Sequence, residues 1–322
     1  MQGNEQIPGA DVRWKQYRNH MTEYILKDCR DTDRILILGA GGCDDIDLAA
    51  VAERTALVCL ADVNRDAMET AVGRLQSVRP DLQSRIFVIE TDFLPISEEE
   101  YEEYDKACRQ GIEMLEQWWA QHYIQGNADP KRQDAKSSGE WSYDMLCGVR
   151  AAMQELGQEA FDTVICLGLH SQLYVGLAVR TYQQKEALND GVRIRAVGLL
   201  QNANQRMAEQ FMQEILQVGK RVILGLEHTA IYGDSQISSE EISQQIMLYG
   251  GKGLRALQLP RVEGAYQIEQ QIAELYRTNK IQIKDCQYFF WPFSEEKTYL
   301  MVLYVITYND FSGRVKVTDD KV

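Results

Sequence analysis

Short apolar runs that end in turns recur along this chain, and the stretches between them carry helical periodicity. The runs are RILILGAGG, starting at Arg34, and residues 56–62, 85–90, 161–167 and 221–226. Each is apolar on both of its alternating faces, as a central strand covered from both sides must be. Residues 46–53, 65–78, 143–156, 172–185 and 204–218 supply the helical spacing between and after them. Strand alternating with helix in this way implies a parallel α/β sheet with right-handed crossovers. The end of the chain departs from the rule. After another helical stretch at 263–279, CQYFFWPF and TYLMVLYVITY flank a turn at SEEK. Two strands joined by four residues pair antiparallel. The expectation is a single α/β domain over 1–322, built on a seven-stranded, mostly parallel sheet. An N-terminal helix is expected within 12–30, where Tyr17, Met21 and Ile25 recur near helical spacing.

Two connections are longer than a crossover needs. Between Asp92 and Asp162 lie 69 residues, and the excess, 94–141, is expected to hold a helix over 97–123. Ser97 with Glu100 makes a capping box that sets its start. The second excess, 228–261, has another capping box at Ser238 and Glu241 and a glycine cluster at 250–253. Both follow strand ends on the rim where open α/β sheets bind ligands, so they read as lids over one site. The alternative is an oligomerisation surface, which leaves a homo-oligomer open.

The first turn is Gly39-Ala40-Gly41-Gly42. Glycines there permit a tight turn and close approach of a ligand to the backbone. The next strand ends at Asp62, 21 residues beyond Gly41, where a carboxylate suits the two hydroxyls of a ribose. The alternative for Asp62 is a cap for the helix that follows. Asp44, Asp45 and Asp47 crowd the place where a pyrophosphate would sit. At an effective dielectric of ~20, like charges at close range cost several kcal/mol, whereas a cationic ligand meets no such objection. The third strand ends in Asp92-Phe93, suited to an adenine amino group and its ring, or simply to a turn and a core residue. The fourth ends in CLGLHSQL, bringing Leu167, Gly168 and His170 to the same rim.

Composition narrows the partners. Against 34 Lys and Arg stand 48 Asp and Glu, a net charge of −14. Nucleic-acid surfaces need clustered cations and anionic membranes attract them, so neither is an expected partner. The run at 299–306 is far short of a membrane span, and the N-terminus shows no apolar signal region. The seven cysteines are scattered without a CxxC pair, so neither a disulfide scaffold nor a metal site is expected. A cytoplasmic protein is the simplest reading.

Taken together, LILGAGGCDDIDL, LADVN, IETDF and FDTVICLGLHSQL resemble the motifs of the class I, Rossmann-like S-adenosylmethionine-dependent methyltransferases, over residues 34–308. The resemblance implies a three-layer sandwich with strand order 3-2-1-4-5-7-6 and an antiparallel last strand. It implies S-adenosylmethionine as cofactor, held by Gly39, Ala40, Gly41, Gly42, Asp44, Asp62, Val63, Asn64, Asp92, Phe93, Leu167 and Gly168. The chain departs from the family at Ile37, where an acidic residue is usual, and at Cys43, the place of the third glycine. No N/D-P-P-Y/F motif follows the fourth strand and no Pro-Cys nucleophile occurs, so together with the acidic charge the expected acceptor is a small molecule, with a protein side chain as the alternative. His170 is the expected general base, with His228 beside Glu227 as a second candidate facing the acceptor. Trp119, Trp141 and Tyr143 would form an aromatic wall for the acceptor, or else pack the insert onto the body. A non-catalytic binding protein of the same fold and a nicotinamide-dependent oxidoreductase are the competing readings.

Overall fold

The computed structural model describes residues 9–309 apart from 95, 125–143, 174, 185–189, 234 and 236. Two helices open the chain, α1 (Ala10–Arg13) and α2 (Lys15–Leu26), followed by β1 (Arg34–Leu38), α3 (Leu48–Glu53), β2 (Leu57–Asp62), α4 (Arg65–Val78) and β3 (Ile86–Glu90). The first long connection holds α5 (Glu98–Gln110) and α6 (Ile112–Trp119). Then come α7 (Cys147–Glu155), β4 (Phe161–Leu167), α8 (Val175–Gln183), α9 (Asp190–Val218) and β5 (Gly219–Tyr232). The second long connection holds α10 (Ser239–Tyr249) and α11 (Gly251–Ala256), before α12 (Glu263–Arg277), β6 (Ile281–Trp291) and β7 (Lys297–Tyr308).

The seven strands form one sheet in the order β3-β2-β1-β4-β5-β7-β6. Pairing is parallel from β3 through β5 and antiparallel on both sides of β7. This is the strand order that the resemblance implies. Side chains alternate between two faces, as the pleat requires. Leu36 and Leu38 join a core with Phe211 and Ile215 of α9 and Ile268 and Ile272 of α12. Ile35 and Ile37 join a second with Met21 and Ile25 of α2, Val51 of α3 and Met68 and Leu75 of α4. Ile37 therefore serves the core, where the family usually has a carboxylate. Fully burying such a residue contributes ~1.5–3 kcal/mol, so both helix layers are fixed to the sheet.

Several boundaries differ from the sequence expectation, three of them by the most. The helix expected over 97–123 breaks at Gly111, whose φ of 109° ends α5 and starts α6. Helix α9 begins well before residue 204, at Asp190. Strand β5 continues to Tyr232, because β7 supplies antiparallel partners past the point where β4 ends. The β5–β7–β6 part of the sheet thus extends past the end of β4. Both capping boxes are formed.

Candidate functional site

The carboxyl ends of β1, β2, β4 and β5 meet where the strand order reverses, the place where open α/β sheets take ligands. Gly39 and Gly41 have φ of 69° and 46°. The amides of Gly39 and Ala40 both donate to the Ala61 carbonyl, tying the turn to the end of β2. A Cβ on Gly39 would lie 3.2 Å from Leu169, so this glycine lets the turns after β1 and β4 pack together. A Cβ on Gly41 would meet nothing within 4 Å, which makes Gly41 the position that a ligand can approach. The backbone at Cys43 is also left-handed, with φ of 51°. The chain keeps a glycine-like turn there with a residue for which it costs roughly 1–2 kcal/mol.

Asp62 is nearly buried and holds the turn from below. Its Oδ2 accepts from the Gly41 amide at 2.9 Å and its Oδ1 from the Asn64 amide at 2.8 Å. Each carboxylate oxygen keeps a second acceptor site, so Asp62 can still receive ribose hydroxyls. The helix cap is Asn64 instead, whose Oδ1 accepts from Ala67. That corrects the expectation for the Asn64 side chain: its amide helps hold Asp62, and its oxygen belongs to α4. Val63 stands exposed between them.

The aspartates of the turn divide their work. Asp44 pairs with Arg74 at 3.1 Å, and a Cβ on Gly42 would meet its carboxylate at 2.9 Å. The expectation that Asp44 holds the cofactor is corrected to this extent: Arg74 occupies its carboxylate. The Gly42 carbonyl also accepts from Arg74. Asp47 caps α3 by accepting from Ala50 at 3.1 Å. Helix α3 has only six residues, starts at Leu48 and has its cap filled, so it offers no waiting phosphate cradle. Among the described residues Asp45 has neither an ion pair nor a helix cap to fill. Burial raises its carboxyl to about 6, with its own backbone amide opposing, Asp44 adding and Arg18 opposing.

Sequence reading took Tyr17 only as a core position of α2 and named Glu227 only as company for His228. The structure brings Glu227 to the turn after β4, and keeps Tyr17 in the second core within reach of the charges of Asp45 and Glu227. Burial pushes the Tyr17 phenol well up, and the charges of Asp45 and Glu227 add to it. A Cβ on Gly168 (φ 69°) would lie 3.1 Å from Glu227 Oε1. Glu227 thus lies against Gly168, while Tyr17 is buried in the second core and stacks on Trp291 at 5.6 Å. No motif marks Tyr17, since its helical spacing with Met21 and Ile25 reads as packing alone.

Other expected residues lie elsewhere. His170 has no exposed surface, and among the described residues neither ring nitrogen has a hydrogen-bond partner. Burial lowers its pKa to about 3, so it holds a proton too weakly to act as a general base near neutrality. That expectation is corrected. His228 sits at a bulge in β5 and faces α12, with Nε2 3.9 Å from Glu269. Burial first, and then Arg261, bring its pKa down to about 4. It is core rather than an acceptor contact. Phe93 packs edge-on against Phe211 at 5.9 Å within the core, and the Asp92 carboxylate accepts from Leu94. Phe93 is thus turned to the core rather than to a base. Leu167 packs against the second core and Ala40 is buried. Trp119 is 1% exposed and packs edge-on to Trp118 and Tyr104. Its edge lines a groove of about 360 Å³ with Leu199, Ala203 and Arg206 of α9, which none of the rim residues lines. Trp141 and Tyr143 lie outside the described residues.

No protein-family model and no curated protein matches the chain. Among solved structures it is similar to the N-methyltransferase NodS from Bradyrhizobium japonicum in complex with S-adenosyl-L-homocysteine. Identity there is 10%, covering 95% of this chain and 91% of that one, with a TM-score of 0.40. It is also similar to a SAM-dependent methyltransferase from Methanosarcina mazei, at 9% identity over 88% of this chain and 96% of that one, TM-score 0.42. A third is a protein of the NADB-Rossmann superfamily from Streptococcus agalactiae, at 8% identity over 89% and 67%, TM-score 0.35. Strand order, rather than these scores, carries the fold assignment.

Proposed function

We propose that the chain is an S-adenosylmethionine-dependent methyltransferase acting on a small-molecule acceptor. The observation that carries this reading is the sign of the rim. Asp45 follows β1, Asp62 ends β2 and Glu227 sits in β5 two residues past its last pairing with β4, while the cap of α3 is filled by Asp47. Such a site disfavours a pyrophosphate and suits a ligand bearing a sulfonium and an α-ammonium. Gly41 gives the ligand its approach, Asp62 its ribose contact, and Asp45 or Glu227 the counter-charge. The bound cofactor supplies an electrophilic methyl group. The chain's part is alignment, which is most of the catalysis in an in-line displacement.

With His170 and His228 buried and neutral, the reading favours acceptors that need no histidine base. The same observation supports the second reading, a binding protein of this fold without turnover. Incubation of the full chain with methyl-labelled S-adenosylmethionine and pools of small amines, phenols and thiols separates them. Label transfer that is lost in Asp62→Ala supports the enzyme. Cofactor binding without transfer to any pool supports the binding protein.

A further inference from the structure

The glycine cluster at 250–253 shapes the second long connection into a hairpin with an apolar tip. Helices α10 and α11 pack on the extended part of the sheet through Ile242 and Leu254 against Ile231 and Leu300. Gly250 makes the turn between them, with φ of 57°. A Cβ on Gly253 would lie 2.3 Å from the Gln245 carbonyl oxygen, so this glycine lets α11 cross closely against α10. The last turn of α10 stands clear of that packing. Met247, Leu248 and Tyr249 are 83%, 66% and 61% exposed. Successive helical residues lie about 100° apart, so these three spread an apolar, convex surface over more than half of the helix circumference.

The charge beside the tip is positive. Residues 242–262 contain Lys252, Arg255 and Arg261 and no Asp or Glu, in a chain whose net charge is −14. Lys252 and Arg255 are exposed on α11, three positions apart and hence neighbours on one face. Among the described residues neither has an ion pair, and Glu269, whose charge reaches Arg255, is taken by Arg261. Glu240 and Glu241 lie at the other end of α10, where Glu241 is bound in the capping box with Ser238. Lys252 follows Tyr249 by three residues, at most about 11 Å of chain, which keeps its ammonium near the tip. The net charge of the whole chain opposes an anionic surface, but exposed charges more than about 8 Å apart are largely screened at physiological salt. At contact the hairpin acts by its own balance.

A protein groove takes one stripe of a helix, at i, i+3, i+4 and i+7. A fluid lipid phase instead closes around a convex tip from all sides. Tyrosine favours its interface, and anionic headgroups attract flanking cations. We propose that the α10–α11 hairpin docks the protein on anionic lipid bilayers. Met247, Leu248 and Tyr249 enter the headgroup boundary, and Lys252 and Arg255 meet the lipid phosphates. The proposal does not depend on the rim being a methyltransferase site.

Its test is co-sedimentation of the full chain with phosphatidylcholine vesicles, with and without phosphatidylglycerol. Binding is expected only where phosphatidylglycerol is present. Leu248→Ser is expected to weaken it about tenfold or more, as the loss of one buried leucine requires. Lys252→Ala is expected to weaken it about fivefold, as one cation at an anionic surface requires. Met247→Ser, at the most exposed position, repeats the first comparison. No binding to phosphatidylglycerol vesicles, equal binding to both vesicles, or binding that none of these variants changes overturns the proposal. Self-association without vesicles that Leu248→Ser abolishes, with no vesicle binding, makes a second copy the occupant instead. Polyglutamate bound as tightly as the vesicles makes it an acidic protein.

Discussion

At the scale of single residues, the site is governed by where charge is left unpaired. Of the three aspartates after the glycine turn, Arg74 takes Asp44 and α3 takes Asp47, and among the described residues Asp45 has no ion pair. A carboxyl at about 6 binds a cation only when ionised. Affinity for S-adenosylmethionine is therefore expected to fall as pH drops through 6, approaching tenfold per unit below it, as one coupled proton requires. Titrations from pH 7.5 to 5 check this, and Asp45→Asn should flatten the profile. An unchanged slope in Asp45→Asn would remove Asp45 from the site. Which aspartate plays which part was not legible in the sequence, because Arg74 and Asp44 are brought together only by the fold.

At the scale of elements, legibility followed the locality of the signal. Helix α4 and strand β4 occupy the residues their patterns predict, 65–78 and 161–167, because caps, turns and periodicity all lie within a few positions. Both capping boxes were legible for the same reason. Ser97→Ala is expected to cost about 1 kcal/mol, since the Ser97 hydroxyl accepts from Glu100 and the Glu100 carboxylate accepts from Ser97. Chemical denaturation measures it, and an unchanged midpoint would show that the start of α5 is held by packing alone. Strand β5 was read short because its last residues pair only with β7, some seventy positions away. That extension turns His228 toward α12 and Glu227 toward Gly168. Sequence placed Glu227 and His228 together, and a sheet's two faces separate them.

At the scale of the whole molecule, a buried neutral histidine links folding to pH. His170 titrates near 6.5 in the unfolded chain and at about 3 in the folded one. Below 6.5 the unfolded state binds the extra proton, so this stability is full above 6.5 and is lost as pH falls toward 3. Between pH 7 and 5 the loss from this one group is about 2 kcal/mol. A folded His170→Phe variant should be less sensitive over that interval by the same amount in urea unfolding. Equal sensitivity would place His170 in contact with water.

Strand order and the outline of the rim were legible in the sequence because alternating apolar runs, glycines and Asp62 sit in fixed relation along the chain. The approach of Glu227 to Gly168 was not, since it is made through the fold alone. The central claim is that this rim prefers an adenosyl cation to a dinucleotide. Calorimetric titration of the full chain with S-adenosylmethionine, S-adenosylhomocysteine and NAD, repeated on Asp62→Ala, tests it most directly. The account predicts micromolar binding of both adenosyl ligands, loss of that binding in the variant, and no binding of NAD. Binding of NAD alone would contradict it.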